Sequence, residues 1–215
     1  MEITSNYDAL CDAWREKFLT WDHAAQMQNL GLPGLYEDHV ELIYFGVPYR
    51  ISRTNGVIVN QNQPEAIVTF NEQMALYHLL WYAKSKPRNS GVWVPFRQVR
   101  GAAPFDAAFQ KLILRVFADS FAGKLPLLLE TGKKLGLQRL SQSDAGFYIE
   151  AFPCIPLQFF FWDADDEFPA QANILFDQNI TDFIHEETVV TIAQDGVRTF
   201  LTAAGFSTTQ RRYEG

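Results

Sequence analysis

The densest group of ionisable side chains in this sequence is a set of four carboxylates within five consecutive positions: Asp163, Asp165, Asp166 and Glu167. They follow segment 155–162, whose apolar composition predicts a strand buried on both faces of a sheet. Carboxylates this close repel one another, so solvent, a cation or a basic partner must relieve them. Asn173 and Asp177 end the same stretch and can orient its backbone through hydrogen bonds. Segment 163–177 is therefore the predicted ligand- or partner-binding segment.

Several chemistries remain open for this segment. Oxygen ligands suit a hard metal such as Ca²⁺ or Mg²⁺, and paired carboxylates suit acid–base catalysis. The EF-hand pattern fails, because Phe168 stands at the glycine position and Ile174 at the terminal glutamate position. The sequence also has no nucleophile elbow, phosphate-binding loop, dinucleotide fingerprint or H-E-x-x-H motif. We therefore favour a non-enzymatic module that binds a protein partner or a cofactor, and the metal question stays open.

Two alternative functions use other residues. A metal-dependent hydrolase would combine the same carboxylates with His78 or His185 nearby. An anion-binding protein would use basic segment 84–100, whose cations include Lys84 and Arg100. Residues 84–139 hold eleven Lys or Arg against three acids, whereas residues 140–197 hold eleven acids and no Lys or Arg. The two segments either pair with each other in the fold or leave a basic surface for an anionic partner.

Composition predicts a cytoplasmic location. The 215 residues include only Cys11 and Cys154, which are far apart and read as free thiols in a reducing compartment. No window approaches the ~18 apolar residues of a membrane helix, and the first residues lack the pattern of a signal peptide. A net charge of −7 and the absence of a recognised motif argue against nucleic acid as the partner. The oligomeric state is not determined by the sequence.

The pattern of elements predicts an α+β fold, a single domain with a largely antiparallel sheet packed against several amphipathic helices. The predicted elements, in order, are helix 6–30, strands 39–60, helices 69–85 and 104–135, strands 146–162, helix 186–204 and a loose tail 207–215. Asn55-Gly56 predicts a hairpin within the first group of strands.

Two helices carry more detailed expectations. The apolar face of the helix after residue 104 is predicted to contain these residues: Phe105, Ala108, Phe109, Leu112, Ile113, Val116 and Phe117. In the last helix, Asp195-Gly196 is expected to weaken the middle by ~1 kcal/mol relative to alanine.

Segment 162–177, W-D-A-D-D-E-F-P-A-Q-A-N-I-L-F-D, resembles the signature of an uncharacterised prokaryotic family known only as a domain of unknown function. Segments 76–80, 91–97 and 153–156 resemble other blocks of that family, so the similarity covers most of the chain. The resemblance supplies no activity. It implies a redox or cofactor-handling context, because some relatives are fused to iron–sulfur modules. This chain lacks the four cysteines that such a cluster takes and cannot hold one alone.

Overall fold

The computed structural model describes residues 6–207 and confirms a single α+β domain with antiparallel sheets. The helices are α1 (Asn6–Phe18), α2 (His23–Leu30), α3 (Phe70–Tyr82), α4 (Asp106–Phe109), α5 (Arg115–Phe121), α6 (Leu125–Lys134) and α7 (Glu186–Ala203). The strands are β1 (His39–Tyr44), β2 (Val47–Ser52), β3 (Ile58–Asn60), β4 (Trp93–Pro95), β5 (Gln138–Leu140), β6 (Ala145–Phe152), β7 (Ile155–Trp162) and β8 (Gln171–Asp177).

The first three strands form a small antiparallel sheet in the order β1-β2-β3. Val40 pairs with Ile51, which in turn pairs with Ile58, so one apolar row crosses the sheet. The Asn55-Gly56 hairpin is confirmed, and Gly56 takes a left-handed φ of 72° that favours glycine. The predicted strands of 39–60 therefore form a sheet of their own.

The second sheet has five antiparallel strands in the order β4-β8-β7-β6-β5. The apolar strand β7 lies in its centre, as the composition of 155–162 predicts, and nearly all of its residues are buried. Strands β6 and β7 form a hairpin, and β8 returns along β7 from Gln171 opposite Trp162. The acidic residues thus occupy the connection between two paired strands.

Helices α5, α6 and α7 pack on one face of this larger sheet. Phe117 of α5 and Phe200 of α7 both contact Phe159 of β7, with ring centroids 5.6 and 5.2 Å away. On α6, a Cβ at Gly132 would lie 2.0 Å from the ring of Phe147, so glycine allows the close approach of helix and sheet. These phenylalanines form the centre of the core.

The structure corrects the predicted apolar face of the helix after residue 104. A π-helical turn over Gln110–Leu114 joins α4 to α5. Phe105, Ala108, Leu112 and Val116 are exposed, whereas the buried stripe runs through Phe109, Ile113, Leu114, Phe117 and Phe121. Phe105 belongs to a 3₁₀ turn that precedes α4. A π turn inserts one residue into the helical repeat, so the inward face shifts by one position beyond it. A strict 3.6-residue period misses that shift.

Other boundaries also differ. The stretch predicted as one helix over 6–30 contains two, because the chain turns between Phe18 and His23 and Asp22 caps α2. The predicted helices of 104–135, in contrast, do separate where expected, because the chain breaks at Ala122 to Lys124 between α5 and α6. Strands β5 and β8 were not among the predicted elements. The predicted loose tail lies outside the described residues beyond residue 207.

Candidate functional site

Two of the predicted carboxylates hold the loop 163–168, which we call the acidic loop. Asp163 accepts hydrogen bonds from the backbone N–H of Gly123 at 2.7 Å and of Ala164 at 2.8 Å. Asp165 accepts from the N–H of Phe168 at 2.7 Å and of Glu167 at 2.9 Å. These two N–H groups, Phe168 first, lower the pKa of Asp165, so its carboxylate stays charged. Asp163 and Asp165 therefore fix the backbone of the loop.

The other two carboxylates point into solvent. Asp166 and Glu167 are exposed, and neither side chain has a hydrogen bond or an ion pair within residues 6–207. Two aromatic side chains flank them, Trp162 with 39% and Phe168 with 59% of its surface exposed. The acidic loop thus presents two unpaired charges, and an exposed aromatic residue precedes and follows them in the chain.

The structure places Asn173 near the loop end of β8 and Asp177 at its far end. Asn173 lies within β8 opposite Phe160, and Asp177 ends the strand six residues after Gln171, roughly 20 Å away at 3.4 Å per residue. Asp177 is buried and accepts four hydrogen bonds, from the N–H groups of Ser90, Gly91 and Asn179 and the hydroxyl of Ser90. Asp177 therefore anchors the segment before β4.

Within residues 6–207, no three His, Cys, Asp or Glu side chains are placed to hold a metal ion together. His78 contacts Thr188 of α7 through Nδ1 at 2.7 Å and faces the ring of Trp14. His185 caps α7 and contacts Tyr82. The contacts that His78 and His185 make are with helices. None of these contacts is with the acidic loop, as the metal-dependent hydrolase would require.

Among residues 6–207, the ion pairs between the basic residues of 84–139 and the acids of 140–197 converge on Asp182. Lys84 and Arg100 both reach Asp182, at 2.5 and 3.5 Å. Other cations bind backbone carbonyls, as Arg139 does with Gly146 and Asp144. The basic segment 84–100 is thus partly neutralised within the fold.

Sequence reasoning missed a buried polar network that joins the small sheet to α3 and α7. Its members are Tyr44, Tyr49, Glu72, Asp195 and Arg198. The Tyr44 hydroxyl donates to Asp195 at 2.8 Å, and the Tyr49 hydroxyl donates to Glu72 at 3.0 Å. Arg198 lies between the two carboxylates, 3.0 Å from Glu72 and 3.3 Å from Asp195. The three-residue spacing of Asp195 and Arg198 on one helix is the signal that could have revealed the pair.

Burial dominates the electrostatics of this network. Only 2% of Asp195 is exposed, and burial raises its pKa to about 6 although Arg198 and the Tyr44 hydroxyl act in the opposite direction. Burial alone would lower the pKa of Arg198, but the charges of Asp195 and Glu72 raise it overall. Each carboxylate and each tyrosine has a partner, so the network is complete and joins the small sheet to α3 and α7.

A sequence model of one protein family, described as "Domain of unknown function (DUF3786)", matches residues 22–199. The chain belongs to this family. The match spans the acidic loop, the buried network and both sheets of the DUF3786 domain. No curated protein and no solved structure matches this chain. No helix among residues 6–207 is long and apolar enough to cross a membrane.

Proposed function

We propose that this protein is a cytoplasmic, non-enzymatic module that binds a basic protein partner through the acidic loop. One observation carries the proposal: Asp166 and Glu167 are exposed and unpaired within residues 6–207, on a loop already ordered by Asp163 and Asp165. An ordered loop loses less conformational entropy on binding than a flexible one. Two negative charges on it would steer and orient a partner that carries Lys or Arg.

The aromatic neighbours supply the apolar part of such an interface. Trp162 and Phe168 expose large rings on either side of the two free carboxylates. Aromatic residues are enriched in the centre of protein interfaces, and charged groups commonly lie at the rim. Asn173 lies within β8 and Asp177 at its far end, and neither contacts the partner in this proposal.

A binding role also fits the hydrogen bonds that two carboxylates of the acidic loop already make. Asp163 and Asp165 are already engaged as acceptors of backbone N–H groups, which leaves them unsuited to act as an acid–base pair. The two thiols are free, and burial raises the pKa of Cys11 to about 11 and of Cys154 to about 12. Free, protonated thiols suit a reducing cytoplasm.

The test compares three forms of the protein as bait in lysate of the source organism. These are the wild type, the pair Asp166→Asn/Glu167→Gln, and a control pair Glu65→Gln/Glu130→Gln that removes two exposed charges elsewhere. We expect a protein that the wild type and the control capture and that the loop pair loses. Because the attraction is electrostatic, capture should also fall as salt is raised.

Melting temperature separates binding from folding. The loop pair should melt within about 1 °C of the wild type, since exposed unpaired acids contribute little to stability. The proposal fails if the loop pair captures the same proteins as the control. It also fails if the loop pair unfolds, because the acids are then structural.

A further inference from the structure

A second surface feature lies at the other end of the larger sheet. It is a pocket of about 340 Å³ where the β1–β2 turn, strand β6 and the connection from α6 to β5 meet. Ala145 of β6 pairs with Phe161 near the acidic loop, whereas Glu150 at the pocket lies five residues further along β6, roughly 17 Å away. The pocket is therefore separate from the acidic loop, and its volume falls in the range of small-molecule sites.

Most of the pocket wall is apolar, and its main side chains are Ile43, Phe45, Leu135, Leu137, Ile149 and Pro153. The backbone of Phe45, which is part of this wall, is strained, because its φ of 47° is left-handed and costly for a residue with a side chain. The Phe45 N–H donates to the carbonyl of Ala151 at 2.8 Å, which keeps the turn against β6. Phe45 and Gly46, with φ of 47° and 76°, form the two-residue turn between β1 and β2, in which positive φ at both positions is favoured, so the turn is a fixed part of the wall.

Glycine in α7 helps to seat the same residue. A Cβ at Gly196 would lie 2.7 Å from the ring of Phe159 and 3.3 Å from the ring of Phe45. Gly196 thus lets α7 approach both rings, which outweighs its low helix propensity. The back of the pocket is consequently a fixed surface.

The polar side chains that line the pocket are acidic or neutral. Glu150 is the one charged side chain among the described residues that line it, beside the hydroxyl of Tyr148 and the amide of Gln138. Burial and the nearby Glu150 carboxylate raise the pKa of Tyr148, so its hydroxyl stays protonated and can donate. Lys133 and Arg139 lie in a neighbouring hollow, and the Arg139 guanidinium already binds two carbonyls.

We propose that this pocket binds a small organic cation, a protonated amine carried on an apolar body. Ile43, Phe45 and Leu137 would cover the body, and Glu150 at the open side would accept the ammonium group. An anion of the same shape would be repelled by Glu150 and find no cation among the lining residues. The proposal does not depend on the acidic loop.

The test uses two probes with the same phenyl body and opposite charge, phenethylamine and 3-phenylpropionate. Amide chemical shifts of ¹⁵N-labelled protein are followed while each probe is added up to about 20 mM. A ligand this small is expected to bind with a Kd in the millimolar range. We expect phenethylamine to saturate shifts confined to three stretches, 43–46, 135–138 and 148–153, and 3-phenylpropionate to bind at least fivefold more weakly.

Two variants assign the preference to Glu150. Glu150 is exposed, so Glu150→Gln should fold normally, weaken phenethylamine about threefold and abolish the preference for the cation. Glu65→Gln removes an equal charge elsewhere and should change neither Kd. The proposal is overturned if both probes bind equally to the wild type, if neither saturates, or if Glu150→Gln keeps the wild-type preference.

Discussion

The acidic loop and the buried network hold carboxylates in opposite environments. In the loop, Asp166 and Glu167 are exposed and unpaired within the described chain. In the network, Asp195 is almost fully buried, and the Glu72 carboxylate accepts four hydrogen bonds, including one from Arg198. The loop draws attention in the sequence because its acids are consecutive, whereas the network is scattered over 155 positions from Tyr44 to Arg198.

This difference shows where each set of charges acts. Water solvates an exposed carboxylate, so removing it changes recognition and leaves folding almost unchanged. A buried carboxylate has lost its hydration, so its partners determine whether the folded state is stable. A loop variant that lowers stability, or a network variant that leaves stability unchanged, would therefore contradict this comparison.

The largest effect is expected for Arg198→Met. Without the guanidinium, Asp195 and Glu72 are left as two carboxylates with no cation between them. Breaking a buried pair by removing one partner is strongly destabilising, and with Arg198 partly exposed we expect a loss of about 3 kcal/mol in the free energy of unfolding. Urea denaturation at pH 7 measures it.

Arg115→Met is the matched control. Arg115 pairs with Asp119 at 2.9 Å on α5, but both side chains are 57% exposed. Such a pair contributes about 0.5 kcal/mol or less. Equal small losses for Arg115→Met and Arg198→Met would mean that solvent screens the network, and the contrast with the acidic loop would disappear.

A smaller effect is expected for Asp177→Ala, which tests two acids of the same segment against each other. Asp177 accepts from the N–H groups of Ser90, Gly91 and Asn179, which would lose their charged acceptor. We expect a loss of about 2 kcal/mol and faster hydrogen exchange at residues 89–92. Asp166→Ala should change stability by less than about 0.5 kcal/mol. If both variants behave alike, burial does not distinguish the two acids.

Much of the fold could be predicted because local patterns and long-range packing agree in most elements. The apolar run of β7 indicated a central strand and Asn55-Gly56 indicated a hairpin, and both are confirmed. The failures lie where tertiary packing decides. The π turn at 110–114 and the short strand β5 leave no periodic signal in the sequence.

The site could be predicted only in part, because the clustering of charged residues in the sequence does not show which of them are buried. Asp163 to Glu167 do cluster, since a short loop keeps them together. Asp177 belongs to the same run of sequence but lies at the far end of β8, because a strand extends 3.4 Å per residue. Gly196, read as a weak point of α7, instead makes room for Phe159 and Phe45.

The pH dependence of stability offers a further test, because Asp195 and His78 change the free energy of unfolding in opposite directions as the pH falls. Burial raises the pKa of Asp195 to about 6, so the folded state binds a proton more tightly and is favoured as the pH falls through 6 towards 3.8. Burial lowers the pKa of His78 to about 4, so the folded state loses stability as the pH falls from 6.5 towards 4. Between pH 4 and 6 the two contributions oppose each other.

Variants that remove one group at a time should reveal the other. Asp195 contributes about 1 kcal/mol of added stability between pH 7 and pH 5, so Asp195→Asn should lose about that much more than the wild type on acidification. His78→Gln should lose about 2 kcal/mol less than the wild type over the same interval, since the neutral side chain has no proton to gain. Urea denaturation at the two pH values measures both differences, and His23 acts equally in all three proteins. Parallel pH profiles for both variants would show that solvent reaches Asp195 and His78, which would remove the contrast between buried and exposed charges.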